Sequence, residues 1–203
     1  MESPDNLPIK LFKNRKDWVD WLEKNHTKAP GIWMRIAKKG AQITSISYQE
    51  ALEAALCYGW IDGRKNRCDE SSWLQKFTSR GPKSIWSKIN REKAEKLIRS
   101  GSMNPAGLKA VEGAKLDGRW NAAYDSPRSA TVPEDFQAEL DKNERAKIFF
   151  LTLNSANRYA ILFRINTAKR AETRQRRIQQ LIRMLENGQK IHPDRPSKSV
   201  IQE

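Results

Sequence analysis

The residues with the most chemical reach in this chain are basic, and they come in two runs. Residues 47–88 read SYQEALEAALCYGWIDGRKNRCDESSWLQKFTSRGPKSIWSK. In the hairpin expected within this stretch, Arg64, Lys65, Arg67, Lys76 and Arg80 are opposed only by Asp62, Asp69 and Glu70. Gly81-Pro82 then forces a turn, and Ser84 has the side chain of a helix N-cap. That spelling puts Arg80, Lys83 and Ser84 at an expected helix start, where unpaired N–H groups and the helix dipole favour an anion. An ordinary N-cap flanked by two solvated cations has the same spelling.

The second run is KRAETRQRRIQQLIR, with Lys169, Arg170, Arg174, Arg176, Arg177 and Arg183 against Glu172. Turned at about 100° per residue, Arg176 and Arg183 point away from the apolar stripe. Arg174 falls near the Ile178/Leu181 side, with Arg170 and Arg177 on the same flank. An arginine there snorkels, pairs with a carboxylate from another helix, or serves as a planar fork for phosphate or carboxylate. The expectation is a single anion-binding surface made by Arg64, Lys65, Arg67, Arg80, Lys83, Ser84, Arg170, Arg174 and Arg177.

Whole-chain charge agrees with an acidic partner. The net charge is +14 and the isoelectric point about 9.9. A field of that sign draws in phosphorylated metabolites, nucleic acid or acidic protein without choosing among them. A nucleic-acid complex would weaken steeply with salt. The tryptophans are not evidence of base stacking, since most of them sit where a core needs them.

Bond-breaking chemistry has no spelling here. His26 and His192 stand alone, and Cys57 and Cys68 lack metal-ligand or redox spacing. There is no phosphate-cradling glycine loop, no dinucleotide fingerprint and no nucleophile elbow. Cys57 reads as a small buried residue on a helix, and Asp62 beside Arg64 as a structural ion pair. No catalytic residue, metal or cofactor is expected, although a site built from carboxylates scattered along the chain has no sequence signature. The competing reading is an enzyme or ligand-gated regulator with a small-molecule pocket between the two halves of the chain.

The elements that must position these groups follow from periodicity. Ser47 and Glu50 have capping-box spacing. Leu52, Ala55 and Leu56 give the following helix one buried side, and Gly59 ends it. Residues 60–68 and 73–78 read as strands joined by the turn Asp69-Glu70-Ser71-Ser72, hence a β-hairpin. Ahead of them lie a strand at 9–12, a helix opened by Asn14 and a strand at 32–37. The spacing predicts helices over 84–99, from Asn104-Pro105 to Gly118, from Val132-Pro133, from Asn143, from Ser155 and over 169–186. Residues 120–131 read as an irregular connector, and 189–203 have no periodicity and are expected to be disordered.

The fold class is therefore α+β. A small N-terminal sheet, antiparallel or mixed, carries helices on one face and is followed by an all-helical C-terminal region. The divisions are an α+β domain at 9–83, a helical linker region at 84–131, a helical domain at 132–188 and a tail at 189–203. Two unpaired cysteines suit a reducing compartment. The start, MESPDNLPIKLF, lacks the regions of a signal peptide, and no apolar run suits membrane insertion. A cytoplasmic location is expected.

Four blocks, EAALCYGWIDG, KFTSRGPKSIWSKIN, TVPEDFQAEL and AKRAETRQRRIQQLIRML, resemble the YdeI/OmpD-associated family, also called the bacteriocin-protection family. The likeness runs over residues 9–190. It implies that residues 132–188 are that family's OmpD-associated domain. It also implies a bacterial protein linked to protection against bacteriocins or cationic peptides and to stress. It carries no catalytic machinery onto this chain. The N-terminal half is similar to the small α+β fold of the family's frataxin-like relatives, an analogy of fold that does not give function. The acidic iron-binding ridge of frataxins is not evident in so basic a sequence.

Overall fold

The computed structural model describes residues 5–193. The chain forms two compact units, one through Ala123 and one from Tyr124. The first is α+β. In chain order it contains β1 (Ile9–Lys10), α1 (Arg15–Asn25), β2 (Ile32–Ala37), α2 (Tyr48–Cys57), β3 (Trp60–Arg67), β4 (Ser72–Ser79), α3 (Lys88–Arg99) and α4 (Pro105–Leu116). The sheet order is β1-β2-β4-β3. It is mixed, because β1 runs parallel to β2 while the β2/β4 and β3/β4 pairs are antiparallel.

Local chemistry sets most of these boundaries. Ser47 and Glu50 make the reciprocal capping box at the start of α2. Gly59, at φ +70°, takes the left-handed turn that ends this helix. Asn104 accepts from the Ala106 N–H ahead of α4, with Pro105 at the first helical position. The start of α3 differs from expectation. Its N-cap is Ser87, whose hydroxyl accepts from the Asn90 N–H at 3.2 Å. Ser84 lies in the preceding turn and donates its N–H to the Gly81 carbonyl. The delay leaves Trp86 outside the helix and buried, with the Arg80 guanidinium 3.6 Å from its ring centroid.

Ile32, Met34 and Ile36 of β2 join the helix-covered core with Phe77 of β4 and Trp60 of β3. Trp33 and Arg35 alternate to the other face. Trp18 anchors α1 to α2 by donating its indole N–H to the Ala51 carbonyl at 3.0 Å. Trp60 likewise bonds the His26 carbonyl at 3.0 Å. Ala94, Met103, Val111, Ala114, Trp120 and Ala123 belong to the same core. Residues 84–123 are thus folded into the first unit, although the sequence reads as a linker there. The fit of α4 onto α2 needs a missing side chain, because a Cβ at Gly107 would lie 2.4 Å from the Cys57 carbonyl oxygen. At the free edge, β3 has a bulge between Asp62 and Lys65, and the Gln75 amide donates to the Gly63 carbonyl there at 2.9 Å.

The second unit is helical among the described residues: α5 (Glu134–Asp141), α6 (Glu144–Thr152), α7 (Ser155–Asn166) and α8 (Ala171–Glu186). Phe136, Leu140, Phe150, Ile161, Ile165, Ile178, Leu181, Ile182 and Leu185 form its core. Burying one such side chain contributes about 1.5–3 kcal/mol. The cap of α6 is Asn143, as the sequence indicates. That of α7 is Asn154, one residue before the expected Ser155, and its side-chain oxygen accepts from the Asn157 N–H at 2.9 Å. Arg170 occupies the N-cap position of α8.

The tail reading changes at its start. The buried Asn157 amide donates to the His192 carbonyl and accepts from the His192 N–H, and Ile191 packs on the core. Residues 194–203 of the expected disordered segment lie outside the described residues. No helix among the described residues is long and apolar enough to cross a membrane.

Candidate anion cleft of the first unit

The β3/β4 pairing runs on past its last ladder rung, since the Arg80 N–H donates to the Gly59 carbonyl at 2.9 Å. That bond lays the Ser79-Arg80-Gly81-Pro82 turn beside Tyr58-Gly59-Trp60, joining two of the four blocks quoted above. With them, the end of α1 (His26, Thr27), one side of α4 (Ala106, Lys109, Ala110, Gly113) and the following loop (Asp117, Arg119) enclose a cleft of about 570 Å³.

Arg119 is the most constrained cation in it. Its side chain is 10% exposed. Nε donates to both Asp117 oxygens at 2.8 and 2.7 Å, and Nη1 donates to the Ser84 carbonyl at 2.7 Å. Nη2 makes no hydrogen bond among the described residues. Arg80 sits over the Trp86 ring and donates Nη1 to the Ile85 carbonyl at 3.2 Å. Trp86 in turn meets Trp120 edge-on at 4.8 Å. Lys109 is exposed on the rim and has no ion pair among the described residues. Three cations and one carboxylate therefore line the cleft, and that carboxylate is already engaged by Arg119.

Two further polar side chains, Tyr58 and His26, line the cleft. Burial, and then its hydrogen bond to Glu23, push the Tyr58 phenol up to about 12. It stays protonated at neutral pH and donates to the Glu23 carboxylate at 3.2 Å. His26 has Nδ1 engaged with the Leu22 carbonyl at 2.9 Å. What the arrangement offers is recognition: a guanidinium with an uncommitted N–H face, an ammonium on the rim and a floor of methyl groups and a glycine. Among the described residues, no cluster of three His, Cys, Asp or Glu side chains is placed to hold a metal ion.

Of the nine residues expected to form one anion surface, the structure brings Arg80 into this cleft. Ser84 contributes its carbonyl, to Arg119, and Lys83 is exposed in the turn rather than at a helix start. β3 sends its cations apart. Arg64 lies over Trp33 on the face away from the helices and bonds to Asp5, which Lys76 also grips at 2.7 Å. Lys65 lies 4.4 Å from the ring centroid of Trp73, on the helix-covered face. Arg67 is exposed at the strand end.

The other three belong to the second unit, where two are engaged by their own chain. Arg174 forks onto Asp135 through Nε and Nη2 at 2.5 and 2.8 Å and donates Nη1 to the Ile165 carbonyl. Arg177 donates to the Arg164 carbonyl and to Thr167. Both therefore close the open C-terminal end of α7. The Arg174 fork holds the Asp135 carboxyl below its ordinary range, and the Arg174 guanidinium is raised in return. Arg170 is exposed.

Lys109 and Arg119 escape a reading of the sequence. One sits on an expected helix and the other between two turns, and nothing in their spacing ties them to Arg80. The usable signal is Gly113, a glycine inside a helix.

Residues 129–188 match the family model described as "Bacteriocin-protection, YdeI or OmpD-Associated". Residues 10–110, which hold most of the cleft, match a different model, a domain of unknown function, DUF8412. The family likeness expected over 9–190 is therefore carried by the C-terminal part. No curated protein and no solved structure matches the chain.

Proposed function

We propose that this chain, whose residues 129–188 form an OmpD-associated domain of the bacteriocin-protection family, is a cytoplasmic, non-catalytic binding protein whose first unit holds a small organic anion. Its cellular role is in protection against bacteriocins or antimicrobial peptides, or in stress. The observation that carries the reading is Arg119, a nine-tenths buried guanidinium with one nitrogen uncommitted, lining a cleft with two more cations.

Among acidic partners, the cleft favours a metabolite. Its volume, about 570 Å³, falls within the roughly 300–1,000 Å³ of small-molecule sites. A nucleic-acid strand calls for a continuous basic track with stacking platforms. Here the cations of β3 go to opposite faces and Trp33 is fully buried. The charge of +14 raises the local concentration of anions of either kind.

Inorganic phosphate is the first probe, titrated while the thermal transition is followed by tryptophan fluorescence. Phosphate should raise the midpoint of the intact chain, and Arg119→Gln and Lys109→Gln should each reduce the rise. Lys109→Gln changes an exposed residue and leaves the fold untouched. No rise with phosphate or simple carboxylates would overturn the reading. So would tight, steeply salt-dependent binding to duplex DNA that Lys109→Gln does not weaken.

A further inference from the structure

The interior of α4 has two glycines, and they are there for different reasons. Glycine inside a helix is unfavourable relative to alanine, so each one needs a cause. Gly107 has one inside the protein: a Cβ there would strike the Cys57 and Leu56 carbonyl oxygens at 2.4 and 2.7 Å. Gly113 has none, since a Cβ built on it meets nothing within 4 Å. Yet Gly113 lines the cleft, on the same side of the helix as Ala106 and Ala110 at i, i+4, i+7 spacing. That side is smooth, with methyl groups and one bare backbone position. The uncommitted Nη2 of the nine-tenths buried Arg119 belongs to the same cleft, as do the rings of Tyr58 and Pro82.

We infer that the anion bound here carries a flat apolar body, and that this body lies against α4 at Gly113 while its acidic group meets Arg119 and Lys109. The ligand class is an aryl or heteroaryl carboxylate or phosphate monoester. The inference rests on the anion-binding reading and adds to it the apolar half of the ligand. A planar ring on bare backbone makes close contacts that any side chain at position 113 would block. The cations then fix its orientation, as the few polar groups of a mostly apolar pocket do.

Phenyl phosphate and inorganic phosphate, titrated calorimetrically into the intact chain and into Gly113→Ala and Gly113→Leu, test this. Phenyl phosphate should bind the unsubstituted chain on the order of tenfold tighter than inorganic phosphate. Gly113→Leu should abolish that advantage. Gly113→Ala should give an intermediate ratio and a higher melting temperature, which separates lost affinity from lost fold. Equal affinities for the two probes, or a ratio unchanged in Gly113→Leu, would overturn the inference and leave the anion site standing. Failure of both probes to bind the unsubstituted chain would overturn the site and the inference together.

Discussion

Replacing Gly107 by alanine should lower the melting temperature of the first unit even though alanine is the better helix former. The helix term alone favours alanine by about 0.5–1 kcal/mol. Against it stands the new methyl, 2.4 Å from both the Cys57 carbonyl oxygen and the Met103 sulfur, and 2.7 Å from the Leu56 carbonyl oxygen. The Met103 thioether can rotate away. The two carbonyls cannot, because they are the backbone of the last turn of α2, and the Cys57 oxygen also accepts the Asn104 N–H at 3.2 Å. Helix α4 must back off by about 1 Å to restore contact distances of roughly 3.5 Å. That loosens Val111 and Ala114 in the core. Overpacking of this kind costs about 1–3 kcal/mol, and backbone on the far side puts it at the upper end. The net loss is about 2 kcal/mol, a fall of roughly 8 °C at about 4 °C per kcal/mol for a unit of this size. The seven tryptophans, from Trp18 to Trp120, all lie in the first unit, so their fluorescence follows that unit selectively. Gly113→Ala has only the helix term and should rise by about 2–4 °C. A Gly107→Ala midpoint equal to that of the unsubstituted chain would refute the close approach of α4 to α2.

Asp69 should make the first unit acid-sensitive. The Ser72 hydroxyl first, then the Ser71 hydroxyl and N–H and the Arg35 guanidinium hold its carboxyl far below the ordinary range. A depressed folded value means the contribution is complete above about pH 4 and fades as the pH falls below it. Urea midpoints should therefore drop on acidification, and Asp69→Asn should flatten that part of the profile; an identical profile would contradict the assignment. In the second unit, Asn157→Ala removes both bonds to His192 and should cost about 1–2 kcal/mol. Amide exchange at His192 should accelerate at least about tenfold, and unchanged protection would mean that the clamp holds nothing.

Where neighbouring residues settle an element, the sequence was readable. Ser47 with Glu50, Asn104 with Pro105 and Asn143 each mark a helix start that the structure has. Where two residues of equal local merit compete, tertiary packing decides. Ser84 and Ser87 are both good caps, and burial of Trp86 selects the later one. Asn154 and Ser155 compete in the same way, and the Asn154 side chain takes the Asn157 N–H. The arginines show the limit more sharply. Helical spacing places Arg174 on the flank of its stripe, but nothing local points to Asp135, 39 residues earlier. The cleft is legible only in part for the same reason. Arg80 follows from its turn, whereas Lys109 and Arg119 reach it through packing between segments far apart in sequence.

The outer position of β3 has a consequence for how copies of the chain treat one another. An unpaired strand edge is a template for another strand, and long flat edges seed aggregates. Here the edge is broken by the bulge at Gly63 and bristles with Arg64, Lys65 and Arg67. A second copy arriving edge to edge would meet like charge and a kinked backbone. Cations that do not reach the cleft thus guard the sheet against growing into its neighbours.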